Sequence, residues 1–238
     1  MLLRAFYIKT MKFSIPILIC FIPISMAFGQ TDSAGMIKYT PDFKFSEGIY
    51  VNFEQVKSNS PIPKSSILAD VGYDDPSFFE RVVENKSISF YNSYGVKQDI
   101  PAKNVWGYSR NGVLYIRYND GFYRITIIGQ ICHFVANLTT YSNDFYGYPY
   151  SYYNYGYPYG RTDNRTSTEL RQYLLDFNTG KIMDYDVEAV EVLLMKDPEL
   201  YDEFMGLRNK KKKQLKFLYI RKFNERNPLY LPSNKSLF

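Results

Sequence analysis

Few residues in this chain could do covalent chemistry. His133 is the only histidine, and of two cysteines, Cys20 and Cys132, the second is its neighbour. A nucleophile and its base must lie within hydrogen-bond reach. Successive residues on a strand point to opposite faces, so Cys132 and His133 make a poor dyad. One imidazole and one thiol would need several carboxylates in support to hold zinc. The sequence contains no nucleophile elbow, phosphate loop or glycine-rich dinucleotide fingerprint. The carboxylate pairs Asp74-Asp75 and Asp184/Asp186 fall where turns and helix starts are expected. A small carboxylate-dependent hydrolase therefore remains an alternative that needs two acids brought together by the fold, and no cofactor or metal site is expected.

The residues suited to binding are aromatic, with 24 tyrosines, 18 phenylalanines and one tryptophan among 238 residues. One group lies in an antiparallel meander, Asn104 to Leu138, whose turns are set by Asn111-Gly112 and Asp120-Gly121. Both dipeptides tolerate positive φ and favour two-residue hairpins. A turn on Asp120-Gly121 pairs Tyr118 with Tyr123, Ile116 with Ile125 and Leu114 with Ile127. A turn on Asn111-Gly112 pairs Tyr108 with Tyr115 and Trp106 with Arg117. One face, with Cys132, Phe134, Ala136 and Leu138 from the next strand, is expected to be core. The other carries Trp106, Tyr108, Tyr115, Arg117, Phe122, Arg124 and His133, with Arg117 and Arg124 expected opposite each other. Such a face could hold a sugar or an anionic chain. The favoured reading is that it is covered, with the acidic C-terminal helices docked on it.

A second aromatic group follows. Tyr146-Gly-Tyr-Pro-Tyr150 recurs as Tyr155-Gly-Tyr-Pro-Tyr159 within a run of tyrosine, glycine, proline, serine and asparagine. Glycine and proline break regular structure, so Ser142 to Ser167 is expected to be a projecting or disordered loop. Tyrosine gives large, rigid contact area with a hydroxyl. This makes Tyr148, Tyr150, Tyr157 and Tyr159 candidate binding residues beside Trp106, Tyr108, Tyr115, Arg117 and Arg124.

Charge is arranged in blocks. Arg208 to Arg226 holds nine basic residues and one acid, while Asp184 to Glu203 holds eight acids and one base. Antiparallel helices would pair the blocks, so Lys210 to Lys213 is expected to be solvated and internally compensated. Weak association with anionic membranes is the alternative, and nucleic-acid binding is not favoured.

The remaining elements read locally. Gly48 to Tyr50 is a short strand, and Asn52 with Gln55 forms a capping box. Ser60-Pro61-Ile62-Pro63 runs extended. Asp75-Pro76 starts a helix carrying Phe78, Phe79, Val82 and Val83. Ser87 to Tyr91 and Val96 to Ile100 form a hairpin feeding the meander, and Leu170 to Phe177 turns through Asn178-Thr179-Gly180 into Lys181 to Met183. Helices are expected from Val187 to Met195, from Asp197-Pro198, and along the basic run with Leu215, Leu218, Tyr219 and Phe223 inward. Leu229 to Pro232 is an extended tail. The fold class is α+β: an antiparallel meander, curved or barrel-like, with about three C-terminal helices packed against it.

At the N-terminus, Arg4, Lys9 and Lys12 precede an apolar run broken by Pro16 and Pro23, and Ala27-Phe28-Gly29 fits a small-residue cleavage site. Residues 1–29 thus read as an export signal, with Met11 an alternative start, 30–46 as a flexible lead-in and 47–238 as one domain. Cys20 follows Ile19 and does not suggest a lipoprotein anchor. One cysteine in the mature part means no internal disulfide, as in a bacterial envelope or secreted protein.

Gly48-Ile49-Tyr50 with Phe53-Glu54-Gln55, Val105 to Tyr108, Ile128-Gly129 and Arg221 to Pro228 together resemble a group of uncharacterised exported proteins of Bacteroidota-type bacteria. The resemblance spans about residues 47 to 232, with the tyrosine-rich segment as the departure. It implies a Gram-negative envelope or secreted location, and no catalytic residue. Asp32-Ser33-Ala34 matches the O-glycosylation triplet of such bacteria. The expected function is non-enzymatic binding of an envelope protein or glycan through aromatic surfaces.

Overall fold

The structure is a computed structural model describing residues 35–142 and 165–233, with the side chains of residues 139–142 and 165–167 outside the description. The segment expected to be an export signal, Cys20, the Asp32 triplet and the tyrosine repeats lie outside the described residues.

The chain is α+β. Its main sheet has eight strands, all neighbours antiparallel. In spatial order they are β12 (Ile182–Asp184), β11 (Arg165–Asp176), β10 (Ile131–Ser142), β9 (Gly121–Ile127), β8 (Val113–Tyr118), β7 (Gly107–Arg110), β2 (Gly48–Tyr50) and β3 (Ile62–Pro63). Strands β3 and β12 are its edges, and no ladder closes it into a barrel among the described residues. A three-stranded sheet, β4 (Ile67–Leu68), β5 (Ser87–Tyr91) and β6 (Lys97–Pro101), stands apart. The 87–100 hairpin therefore forms its own layer instead of feeding the meander.

Hairpin β7–β8 has the expected register, Tyr108 opposite Tyr115, with Asn111 at φ 52° and Gly112 at φ 79°. The next turn differs. Tyr118 pairs with Gly121 and Ile116 with Tyr123, so the two turn residues are Asn119 and Asp120, with left-handed backbone at Asn119 (φ 50°). Gly121 lies within the strand, where a Cβ would meet the Tyr123 ring, 2.7 Å from its Cζ. Each partner slides by two residues, so every side chain keeps its face. The cross-strand neighbours do change: Arg117 lies opposite Phe122 and Arg124 opposite Tyr115, not opposite each other.

One sheet face is core, as its alternation requires. Leu114, Ile116, Ile125, Cys132, Phe134, Ala136, Tyr173 and Leu175 are buried there with Tyr50 and Phe177. This core is sealed by the first and last of the described segments. Strand β1 (Met36–Lys38) pairs with β13 (Tyr230–Pro232), and Phe45, Leu229 and Leu231 are buried beneath them. The segment expected to be a flexible lead-in is thus structured from Met36, because Tyr39, Phe43 and Phe45 pack on the sheet.

The opposite face has two covers. Over β2, β7 and β8 lie α2 (Phe78–Glu84) and the small sheet, burying Ile49, Tyr108, Phe78, Phe79, Val82, Ile88 and Phe90. Over β10 and β11 lie α3 (Val187–Leu194), α4 (Pro198–Met205) and α5 (Asn209–Arg226), burying Ile131, Leu174, Val190, Leu193, Phe204, Tyr219, Ile220 and Phe223.

Local signals start the helices. Gln55 N–H donates to Asn52 Oδ1 (3.0 Å) at the start of α1 (Phe53–Lys57), and Val51 N–H donates back to Gln55 Oε1 (2.6 Å). Asp186 caps α3 at Ala189 N (2.7 Å), and Asp197 caps α4 at Leu200 N (3.2 Å) with Pro198 in the first turn. The charge blocks then meet across the helices. Lys222 faces Glu203 at 2.8 Å, and Arg226 bridges Asp197 (2.8 Å) and Glu199 (2.6 Å). Lys212, only 5% exposed, donates to Glu191 (2.7 Å). Leu218, expected inward, is 46% exposed, and Ile220 is buried in its place. The inner stripe of α5 runs through Lys212, Tyr219 and Phe223, which puts Leu218 outside the apolar phase.

Candidate functional site

The meander's second face builds an aromatic stack. Strand alternation aims Tyr108, Tyr115 and Phe122 at α2. Tyr108 lies parallel to Phe79 (5.4 Å between ring centroids) and to Tyr115 (4.9 Å). Phe122 is tilted beside it at 5.3 Å. Arg110 closes the edge: its guanidinium donates to Pro76 O (2.9 Å) and Tyr115 Oη (3.2 Å) and pairs with Glu80. Burial, reinforced by the Glu80 carboxylate, pushes the Tyr108 hydroxyl well above its ordinary range. Arg117 donates to Ala102 O at 2.5 Å and lies over Phe122. Its partner is a backbone carbonyl, not an acidic helix.

Of the five candidates expected on this face, only Arg124 is exposed. Tyr108 is 2% exposed, while Tyr115 and Arg117 are half-buried in the contacts above. Trp106 is turned to the other side of the sheet, half-buried against Phe53 at 5.5 Å, because the chain between Val105 and Gly107 is not in strand and alternation slips there. Arg124 is exposed and lines a cleft of about 390 Å³ with Tyr39, Asp42, Phe43, Lys44 and Thr126. Tyr148, Tyr150, Tyr157 and Tyr159 lie outside the described residues. The face is therefore core, covered by α2 and the small sheet. The acidic helices cover only its His133 end.

The residues able to do chemistry are held apart. Cys132 is fully buried on the first face, its Sγ 3.3 Å from Gly129 O, and burial pushes the thiol up to about 12. His133 is on the second face, with Nδ1 3.0 Å from Thr126 Oγ1 and Nε2 3.0 Å from Gln172 Oε1. Its ring meets Tyr185 and Phe217 edge-on, and burial holds it below the ordinary histidine range against the opposing Gln172 bond. Thiol and imidazole thus cannot act as a dyad.

Three acids, Glu47, Asp74 and Asp75, line a cleft of about 560 Å³ beside α2. Asp75 accepts from Ser77 N–H (2.7 Å) and faces Arg81 (3.4 Å), while Glu47 faces Lys64 (3.7 Å). The Asp75 and Glu47 carboxylates are thus engaged in local turns and ion pairs. Among the described residues no group of three or more His, Cys, Asp or Glu side chains is placed to hold a metal ion.

What sequence reading missed is the length of the hairpin that carries the tyrosine repeats. Strands β10 and β11 each run twelve residues, and their register continues to Ser142 opposite Arg165. The ladder of β9 ends at Phe134, and Tyr123 Oη donates to Asn137 O (2.7 Å) further out. The ladder of β12 ends at Tyr173, with one further bond from Tyr185 N–H to Gln172 O. Beyond Asn137 and Arg171 the two strands have only each other as ladder partners among the described residues. Asn137, Thr168, Glu169 and Arg171 are exposed there, and Leu170 is 67% exposed. The overlooked signal was Thr139, Thr140, Thr166 and Thr168, β-branched residues that favour strand.

Two stretches distant in sequence also meet. The Asn224 carboxamide on α5 accepts from Ile131 N–H (2.9 Å) and donates to Ile131 O (2.8 Å). Gly129 lies under it, where a Cβ would sit 2.5 Å from Asn224 Nδ2. No family model, curated protein or solved structure matches the chain.

Proposed function

We propose that this chain is a non-enzymatic, exported protein of the bacterial envelope or its surroundings that binds a partner protein or glycan. The binding element is the arm formed by Asn137–Ser142 and Arg165–Arg171, with the tyrosine-rich segment joining its ends. The observation that carries this reading is the continuous ladder to Ser142–Arg165, paired to neither β9 nor β12 in its outer half. A two-stranded ribbon has little reason to extend past its sheet for stability alone, since an isolated hairpin is marginal in water. Leu170 is left exposed at the base of the arm, and tyrosine supplies contact area at low entropic cost. Export rests on the basic, apolar and small-residue order of 1–29 and on the resemblance to exported Bacteroidota-type proteins.

Replacing 143–164 by Asn-Gly tests the reading, because Ser142 and Arg165 already stand opposite each other and a two-residue turn can close them. The shortened chain is expected to keep its far-ultraviolet spectrum and urea midpoint and to lose capture of its envelope partner in pull-down. Unchanged capture by the shortened chain would remove the arm from the function.

A further inference from the structure

The exposed residues of α5 between Lys210 and Arg221 are Lys210, Lys211, Lys213, Gln214, Phe217, Leu218 and Arg221. Except for Phe217, which touches the His133 ring, they lie on the part of the helix surface turned away from the inner stripe of Lys212, Tyr219, Ile220 and Phe223. Four cations lie there with no acid among them, and none of the four makes an ion pair among the described residues. Only Lys212 of the lysine run is compensated, by Glu191. Within this positive surface stands one large apolar side chain, Leu218 at 46% exposure, while Phe217, 40% exposed, lies at its flank with its ring edge-on to His133.

We propose that the outer face of α5 docks on an anionic lipid surface. The charge selects a polyanion, and the exposed Leu218 selects which one. A nucleic acid or acidic polysaccharide offers phosphates, carboxylates or sulfates to the lysines but no place for an exposed leucine. A bilayer interface accepts both, since an interfacial helix buries apolar side chains just below the headgroups while lysines reach the phosphates. Lysine and arginine stems also extend far enough to let Leu218 reach that depth. Because four charges carry most of the attraction, the docking is reversible and salt-sensitive. It is independent of the arm, which lies on different strands.

The test uses the chain from Gln30, which keeps the compact unit Gly35–Phe238 and lacks the apolar N-terminal run. It is sedimented with vesicles of phosphatidylcholine, alone or mixed with phosphatidylglycerol. The expected result is binding to the anionic vesicles only, falling steeply with added salt. Each cation near the surface contributes about fivefold, so K210Q/K211Q/K213Q lowers partitioning about a hundredfold. Leu218→Gln, at unchanged charge, lowers it about tenfold. Both variants change exposed residues, and an unchanged circular dichroism spectrum establishes that they fold. Absence of binding to anionic vesicles, or equal binding to phosphatidylcholine alone, overturns the proposal. So does a Leu218→Gln variant that binds both vesicles and dextran sulfate as tightly as the parent, which would make α5 a site for soluble polyanions.

Discussion

Replacing Tyr108 by alanine is expected to destabilise the fold by about 3–5 kcal/mol, the range for removing a buried aromatic side chain. That is a large part of a typical domain's net stability. Tyr108 is 2% exposed and stacked between Phe79 and Tyr115, so its ring joins α2 to the main sheet. Truncation leaves a cavity that the flanking rings and the β7 backbone cannot fill by small shifts. Tyr108→Phe keeps the stack and is expected to cost under about 1.5 kcal/mol, the net value of an ordinary hydrogen bond. Urea unfolding read by tryptophan fluorescence measures both. If Tyr108→Ala unfolded at the parent's midpoint and lost only ligand binding, this face would be an open binding surface and not core.

Asn224→Ala is expected to cost about 2–6 kcal/mol, because it strands the N–H and C=O of Ile131, each worth about 1–3 kcal/mol when buried and unpaired. Asn224 is half-buried, but Ile131 is 1% exposed, and the asparagine ties the start of β10 to α5. Gly129→Ala acts on the same tie from the other side, since the added methyl meets the carboxamide. The two substitutions break one interaction, so the double variant should be clearly less destabilised than the sum of the singles. Thermal unfolding of the four proteins in this cycle is the measurement. Strict additivity would mean that the residues act independently.

These two positions also mark what the sequence made legible. Short-range chemistry was readable: Asn52 with Gln55, Asp186, and Asp197-Pro198 each start the helix they announce, because a cap needs only residues two or three apart. Alternation assigned Leu114, Ile116 and Ile125 to the core face correctly even though the Asn119-Asp120 turn moved their partners, since a slide of two residues preserves parity. It could not say what covers the opposite face. That cover comes from α2 and the small sheet of residues 67–101, whose position depends on chain topology and not on any local pattern. The same limit applied to the lysine run. Complementary blocks were visible, but only helical phase against the finished core decides that Lys212 turns inward to Glu191 while Lys210, Lys211 and Lys213 face out. The arm was curtailed because tyrosine, glycine and proline composition drew attention from the threonines that extend its strands.

The central functional claim is that binding belongs to the arm and its tyrosine segment. The most direct measurement introduces a photo-crosslinking residue in place of Tyr148 and Tyr157 in turn, with Arg124 as the comparison position on the sheet, in the native envelope. Adducts to one shared partner from Tyr148 and Tyr157, with none from Arg124, are the expected result. Adducts from Arg124 with none from either tyrosine position would contradict the account and move the site to the cleft formed by Tyr39, Asp42, Phe43 and Lys44.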